Sequence, residues 1–477
     1  MSVQERRLLF VDGKWVEPII DAEPITVFDS VTEEPLETIP AGSPADVDSA
    51  VRAAHAALQP WWQLGVKRRA EYLRRLGDGL LQRADAIAPL ISREVGMPID
   101  GAHGYQTVRA ANFLNGFADL GEAVAYEEQS GNSLIVREPV GVVGAITPSN
   151  FPLLLSLVKL GPALVAGCTV VLKPPETAPG SLFHLAEVCQ EIGLPPGVVN
   201  LVTGYGRDVG EPLAMHPLVD MISFTGSTAV GRRLLELGSQ TIKRAHMELG
   251  GKSAAVVLDD ADLESSLRSA IGQAYINAGQ VCFAWSRLVV PRQKLSACEA
   301  ILAGIVDELK LGDPLDPTTT LGPVVSDAAR QRIRSYIDGA VSEGARVLRG
   351  GSDAPTHLNR GYFIRPTVLS NVTNDMRIAQ EEVFGPVVSV IAHDGDDDAV
   401  RIANDSIFGL HGAVFSADQE RALAYARRVR TGQVDINGFK LGVNPAAPFG
   451  GFKQSGLGRE LGMHGIQEYL EVKSIQL

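Results

Sequence analysis

The stretch GVVGAITPSNFPLLLSLVKLGPALVAGCTVVLK, residues Gly141 to Lys173, decides the fold. Gly141–Thr147 is a short apolar run closed by Pro148, the pattern of a buried strand. Pro152–Ala166 is long enough for a helix and carries a proline in its first turn, where the missing N–H costs nothing. Thr169–Lys173 is β-branched and apolar again. Strand, helix and strand within about thirty residues make a βαβ unit. The segment Phe151–Leu172 is apolar except for Ser156, Lys159 and Thr169, enough to suggest a membrane span. Gly161-Pro162 and the mid-span Lys159 argue instead for a buried helix followed by a buried strand.

The same rhythm continues outward. Strands are expected at Val198–Val202, Val219–Phe224 and Ala245–Leu249, and helices at Ser181–Ile192 and Ser227–Gly238. Alternation of this kind predicts a parallel sheet covered on both faces, with ligands beyond the carboxyl ends of its strands. A second α/β run follows Gly250-Gly251. Its strands are read at Ser253–Leu258, Leu288–Pro291, Val387–Ala392, Ala413–Phe415 and Gln433–Ile436. Its helices are read at Leu263–Ile276, Gln293–Leu309, Asp327–Glu343 and Gln419–Arg430. Upstream, Asp12-Gly13 marks a hairpin within Leu9–Glu17. Helical patterns cover Pro44–Ala57, Lys67–Val95 and Tyr105–Leu120. A polar hairpin turns at Gly131-Asn132 within Val124–Arg137, and Tyr469–Leu477 reads as a terminal strand.

Composition narrows the function. With 43 Lys and Arg against 56 Asp and Glu, the 477-residue chain carries a net charge of −13. No basic block offsets that charge, which argues against nucleic acid or an anionic membrane as partner. Hydrophobic residues at 45% exclude a disordered chain. Four cysteines, Cys168, Cys189, Cys282 and Cys298, form no disulfide framework and no zinc-ligand spacing, so no metal is expected and a reducing cytoplasm fits. The N-terminal apolar run, Leu8 to Val11, is too short for a signal peptide.

Three local patterns can carry chemistry. Cys282 follows a helix in the Gly-containing turn Asn277–Cys282, where a thiol can be exposed, whereas the other three cysteines sit in apolar patterns and read as small hydrophobes. Glu248 ends a strand beside Gly250-Gly251. Asn150 precedes a helix, where its amide can cap the helix or hold a developing oxyanion. Two glycine patterns suggest a nucleotide: Gly204-Tyr-Gly206-Arg-Asp-Val-Gly210, one residue longer than the dinucleotide fingerprint, and Phe224-Thr-Gly226-Ser227-Thr-Ala-Val-Gly231, which opens a helix able to receive a pyrophosphate. Lys173 and Glu176 end another strand as a donor and an acceptor for ribose hydroxyls.

Together the pieces PSNFPL, VLKPPETAP, FTGSTAVG, ELGGK, GQVC, EEVFGPV and PFGGFKQSGLGRELG resemble the aldehyde dehydrogenase superfamily, in order and over essentially the whole chain. The resemblance implies a Rossmann-like cofactor domain (residues 1–120 and 139–249), an α/β catalytic domain (250–448) and a small β oligomerisation element (121–138 and 465–477). It implies oxidation of an aldehyde to a carboxylic acid by a homodimer or homotetramer, with NAD preferred and NADP tolerated by some members. Cys282 matches the nucleophile, Glu248 the general base, and Asn150 the oxyanion donor working with the Cys282 backbone N–H. Lys173 and Glu176 match adenosine-ribose contacts, Ser227 a pyrophosphate contact, Glu382 the acid on the nicotinamide ribose and Phe384 the ring beside the nicotinamide. Ile146, Pro148, Gly206 and Gly210 are expected to line the same crevice. So are Phe224, Gly226, Gly231 and Leu249.

The residue types are coherent with thiolate addition, hydride loss and base-assisted thioester hydrolysis. Glu176 favours NAD because a carboxylate repels a 2′-phosphate. Ser149 and Val158 stand where many members carry aromatics, which predicts a wider pocket. Phe283 and Trp285 are expected to narrow it. Lys440, in the loop Gly438–Pro448, reads as a solvated side chain rather than a partner for a substrate carboxylate. His246 and His411 read as structural. Two alternatives have discriminating features. A CoA-acylating relative generally lacks the base that Glu248 supplies, and a cysteine hydrolase needs a histidine partner that no residue offers. A non-catalytic scaffold would be expected to have lost Cys282, Glu248 or Asn150.

Overall fold

The computed structural model describes residues 3–439 and 442–477, so the expectation for Lys440 lies outside the described residues. Gly141–Lys173 folds as its pattern requires. Val142–Ile146 and Thr169–Lys173 are adjacent parallel strands, with every side chain buried. The helix between them, Pro152–Ala166, ends at Gly167, whose φ of 104° only glycine adopts without strain. Among the described residues, no helix is long and apolar enough to cross a membrane.

Eight strands form the first sheet, in the order Gly456–Leu457, Arg244–Glu248, Met221–Thr225, Val142–Ile146, Thr169–Lys173, Val199–Leu201, Leu9–Val11 and Lys14–Val16. The five inner strands are parallel. Chain order reverses between Val142–Ile146 and Met221–Thr225, which opens a crevice at the carboxyl ends of those two strands. A second sheet has seven strands, in the order Arg346–Arg349, Thr367–Ser370, Val387–His393, Arg287–Pro291, Ala254–Val257, His411–Phe415 and Gln433–Ile436. All its pairings are parallel except that of the edge strand Arg346–Arg349. The polar hairpin, Glu127–Ser130 with Ser133–Pro139, pairs antiparallel with the terminal strand Leu470–Gln476.

Several expected boundaries move. Lys67–Val95 is two helices, Val66–Leu81 and Ala84–Val95, because Arg83 leaves the helical region at φ −103° and ψ 6°. The segment around Tyr105 begins as a π-helix, Ala102–Arg109, before the α-helix Ala110–Glu122. Such wide turns favour functional sites. The strand Thr367–Ser370 and the helix Asp396–Asn404 lack a sequence pattern long enough to announce them.

Candidate active site

Two strand ends and a turn after a helix bring the candidate side chains together. Glu248 is the last residue of its strand and lies in register beside Thr225, the last of the next. Asn150 sits in the loop leaving Val142–Ile146. It does not cap the following helix, contrary to one reading of the sequence. Phe151 holds the cap position, and Asn150 Nδ2 instead donates to the Gln280 carbonyl at 2.8 Å. The Asn150 carbonyl accepts from Gln106 Nε2 and Asn277 Nδ2, each at 3.0 Å. These bonds tie Asn150 to the turn that carries Cys282.

That turn is strained. Asn277, Ala278 and Gly279 all have positive φ, at 52°, 55° and 71°. For alanine this is a costly conformation, of the kind that collects at functional sites. Gly279 has no room for a side chain, since a Cβ would meet the Gly385 carbonyl at 2.1 Å. The glycine pair after Glu248 is equally constrained. A Cβ on Gly251 would meet the Cys282 carbonyl at 2.3 Å, and one on Gly250 the Glu382 carboxylate at 2.3 Å. Gly251 N–H donates to Glu382 at 3.2 Å.

Two cavities meet at Asn150, Thr225, Glu248 and Cys282, which line both. The larger, about 600 Å³, is also lined by Pro148, Gly226, Ser227, Leu249, Glu382 and Phe384. Ser227 caps the helix Thr228–Gly238 that starts there, its hydroxyl accepting from Val230 N–H. Phe384 is held at φ 56°, a strained conformation for so large a residue. A neighbouring cluster holds Lys173, whose Nζ is 3.2 Å from Glu176, while Glu176 accepts the Gly206 N–H at 3.0 Å. A Cβ on Gly210 would touch Lys173 and Ile146 at 3.6 and 3.7 Å, so these four positions and Glu176 form one patch. Phe224 and Gly231 are buried. Gly231 lets its helix approach Leu249, where a Cβ would clash at 2.6 Å.

The smaller cavity is almost wholly apolar. Phe151, Leu154, Leu155 and Val158 line it from one side, and Phe283, Phe439, Phe449 and Leu461 from the other. Phe283 packs at 5.8 Å from both Phe439 and Phe449. Trp285 does not narrow this cavity. It is fully buried and donates its indole N–H to His411 at 2.9 Å, which also gives His411 a structural role. Ser149 opens onto the larger cavity, not the apolar one.

The electrostatics of the site are set by burial. Neither Glu248 oxygen has a hydrogen-bond partner. Burial, reinforced by the Glu460 carboxylate, pushes its carboxyl well above the ordinary carboxylate range, against the pull of Lys159 and Arg459. Burial and the carboxylates of Glu248, Glu382 and Glu460 likewise raise the Cys282 thiol, so the resting sulfur keeps its proton. Desolvation pushes Glu382 up to about 7. Lys159 and Glu460 form a buried ion pair at 2.8 Å, and Glu460 lines the apolar cavity with Glu248. Sequence spacing draws no attention to that pair, whose members are 301 residues apart. The only hint is a lysine inside an apolar run.

Comparison with known proteins agrees with this architecture. The model of the aldehyde dehydrogenase family matches residues 15–475. A 3-succinoylsemialdehyde-pyridine dehydrogenase from Pseudomonas is 42% identical over 99% of this chain and 99% of its own length. A geranial dehydrogenase from Castellaniella defragrans is 42% identical over 98% of each. The crystal structure of a mutant aldehyde dehydrogenase C from Pseudomonas syringae, in complex with NAD+ and octanal, matches with a TM-score of 0.97 at 41% identity, covering 98% of this chain and 96% of that one. The chain therefore belongs to the aldehyde dehydrogenase family.

Proposed function

We propose that this protein oxidises an aldehyde to its carboxylic acid with NAD, through a covalent thioester on Cys282. One observation carries the reading: a sulfur, an amide and a carboxylate from distant parts of the chain line the wall shared by a large polar-edged cavity and an apolar one. Octanal and NAD+ in the crystallised relative suit those two spaces.

The residues present fit the cofactor. A helix N-terminus opens into the larger cavity at Ser227, and the Glu382 carboxylate stands against a glycine whose Cβ would displace it. In this reading Ser227 holds the pyrophosphate, and Lys173 and Glu176 hold the adenosine ribose. Glu382 holds the nicotinamide ribose, and Phe384 braces the ring. Ile146, Pro148, Gly206, Gly210, Phe224, Gly226, Gly231 and Leu249 shape the crevice. A carboxylate at Glu176 disfavours a 2′-phosphate, so NAD is preferred over NADP. When bound, NAD supplies the acceptor for a hydride.

Cys282 Sγ gives up its proton to solvent water and bonds to the aldehyde carbon. Asn150 Nδ2 and the Cys282 backbone N–H hold the oxygen as it gains charge, worth about 3 kcal/mol per donor in comparable sites. Hydride leaves the carbon and a thioester remains. Glu248, once ionised, takes a proton from water as that water attacks the thioester. The carbon–sulfur bond breaks, the acid departs and the thiol is restored. Glu248 stands in the base position that a CoA-acylating enzyme would leave empty.

We read residues 1–120 with 139–249 as the cofactor domain, 250–448 as the catalytic domain, and 121–138 with 465–477 as the element that joins copies into a homodimer or homotetramer. Val472 and Leu477, 63% and 71% exposed on the terminal segment, support that last assignment. Four free cysteines fit a cytoplasmic setting. The test is Cys282→Ala. It should abolish NADH formation from octanal while leaving NAD binding by calorimetry within about threefold. Turnover by that variant discards the reading.

A further inference from the structure

Among the described residues that line the apolar cavity, Arg109 is the one cation. Arg109 closes the π-helical turn and lines the wall together with Tyr105 and Phe113. Its guanidinium carbon lies 5.9 Å from the Tyr105 ring centre and 5.7 Å from that of Phe113. One terminal nitrogen, Nη2, donates to the Val443 carbonyl, which fixes the side chain in place. Among the described residues Arg109 makes no ion pair. Lys159, which pairs with the cavity-lining Glu460, is neutralised by it. Tyr105 is 38% exposed whereas Glu248 is 2% exposed, so Arg109 stands toward the outer end of the cavity and the reacting groups stand at the inner end.

The Arg109 guanidinium is half-buried and lines the cavity, so it is accessible to a ligand there. Its planar fork presents five N–H donors, of which the Val443 bond takes one, and it matches a carboxylate bidentately. Resting on the reading of this cavity as the aldehyde site, we propose that Arg109 binds a carboxylate at the far end of the substrate. The substrate class is then an ω-oxo carboxylic acid with an apolar spacer. The spacer lies along Leu154, Leu155, Val158 and Phe449, the aldehyde reaches Cys282, and the carboxylate meets Arg109. The same donors would bond to a neutral carbonyl more weakly, since hydrogen bonds to a charged acceptor are about twice as strong.

The test measures binding rather than turnover. It uses unreactive probes in which an alcohol replaces the aldehyde: ω-hydroxyalkanoates, their methyl esters and 1-alkanols, of matched length stepped from hexyl to decyl. For at least one length the wild-type protein should bind the hydroxy acid about tenfold or more tighter than the alkanol. The ester should fall between them. Arg109→Leu should erase the difference, and Arg109→Lys, which keeps the charge but loses the fork, should retain a reduced one. Equal affinities in the wild type overturn the proposal, as does a preference that survives Arg109→Leu. An ester bound as tightly as the acid overturns the carboxylate assignment. Failure of the wild type to oxidise any aldehyde would defeat the proposed function instead, and would leave the binding result standing.

Discussion

His246 gives a pH prediction whose size follows from its surroundings. It lies two residues before Glu248 on one strand, so both side chains face the same way. It is 1% exposed, and neither ring nitrogen has a hydrogen-bond partner. The nearest carboxylate, Glu460, is 3.9 Å away and already paired with Lys159. Burial therefore dominates and holds the imidazole down to about 4, with Lys159 and Arg459 adding to it and Glu460 opposing. In the unfolded chain the ring takes a proton near pH 6.5. Between those values the unfolded state binds the proton and the folded state does not. Stability is therefore intact above about pH 6.5 and is lost as pH falls toward 4, by about 3 kcal/mol in all and about 2 kcal/mol at pH 5. His246→Leu removes the titration and keeps an apolar filling. Urea unfolding of both proteins at pH 7.5 and pH 5 should show the wild type losing about 2 kcal/mol more than the variant. Parallel losses would refute the claim that His246 is buried in its neutral form.

Glu248→Gln should preserve a burst of NADH of about one equivalent per site and slow the steady state by about a hundredfold or more, seen by stopped-flow absorbance. In the wild type, thioester hydrolysis should rise with pH above the usual carboxylate range, because burial and Glu460 raise the Glu248 carboxyl; Glu460→Gln should move that profile to lower pH. Lys159→Met leaves Glu460 buried without its partner and should cost about 3–5 kcal/mol in thermal unfolding, most of it recovered by adding Glu460→Gln.

The first sheet was legible because its strands are buried on both faces and its helices carry proline and glycine at their ends. Pro152–Ala166 and Thr169–Lys173 match their expected spans residue for residue. Short elements such as Thr367–Ser370 hold too few residues to show a period, and only tertiary contacts define them. At the site, turn glycines and a strand end mark Cys282, Glu248 and Asn150 only weakly; the family resemblance singles them out, and all three line one wall. The apolar wall was not legible. Tyr105, Arg109 and Phe113 follow helical spacing, but that spacing does not say which face meets Cys282. Trp285 shows the same limit: its place three residues after Cys282 predicts a cavity wall, and the structure buries it in the core. Asn150 was read two ways, and the structure gives its amide to Gln280 rather than to the helix end.

The most direct measurement is of the covalent intermediate. Glu248→Gln protein mixed with NAD and octanal, quenched in acid and digested, should yield the peptide bearing Cys282 heavier by one octanoyl group, with Cys168, Cys189 and Cys298 unmodified. NADH formed without an acyl group on Cys282, or an acyl group on another residue, would contradict the account.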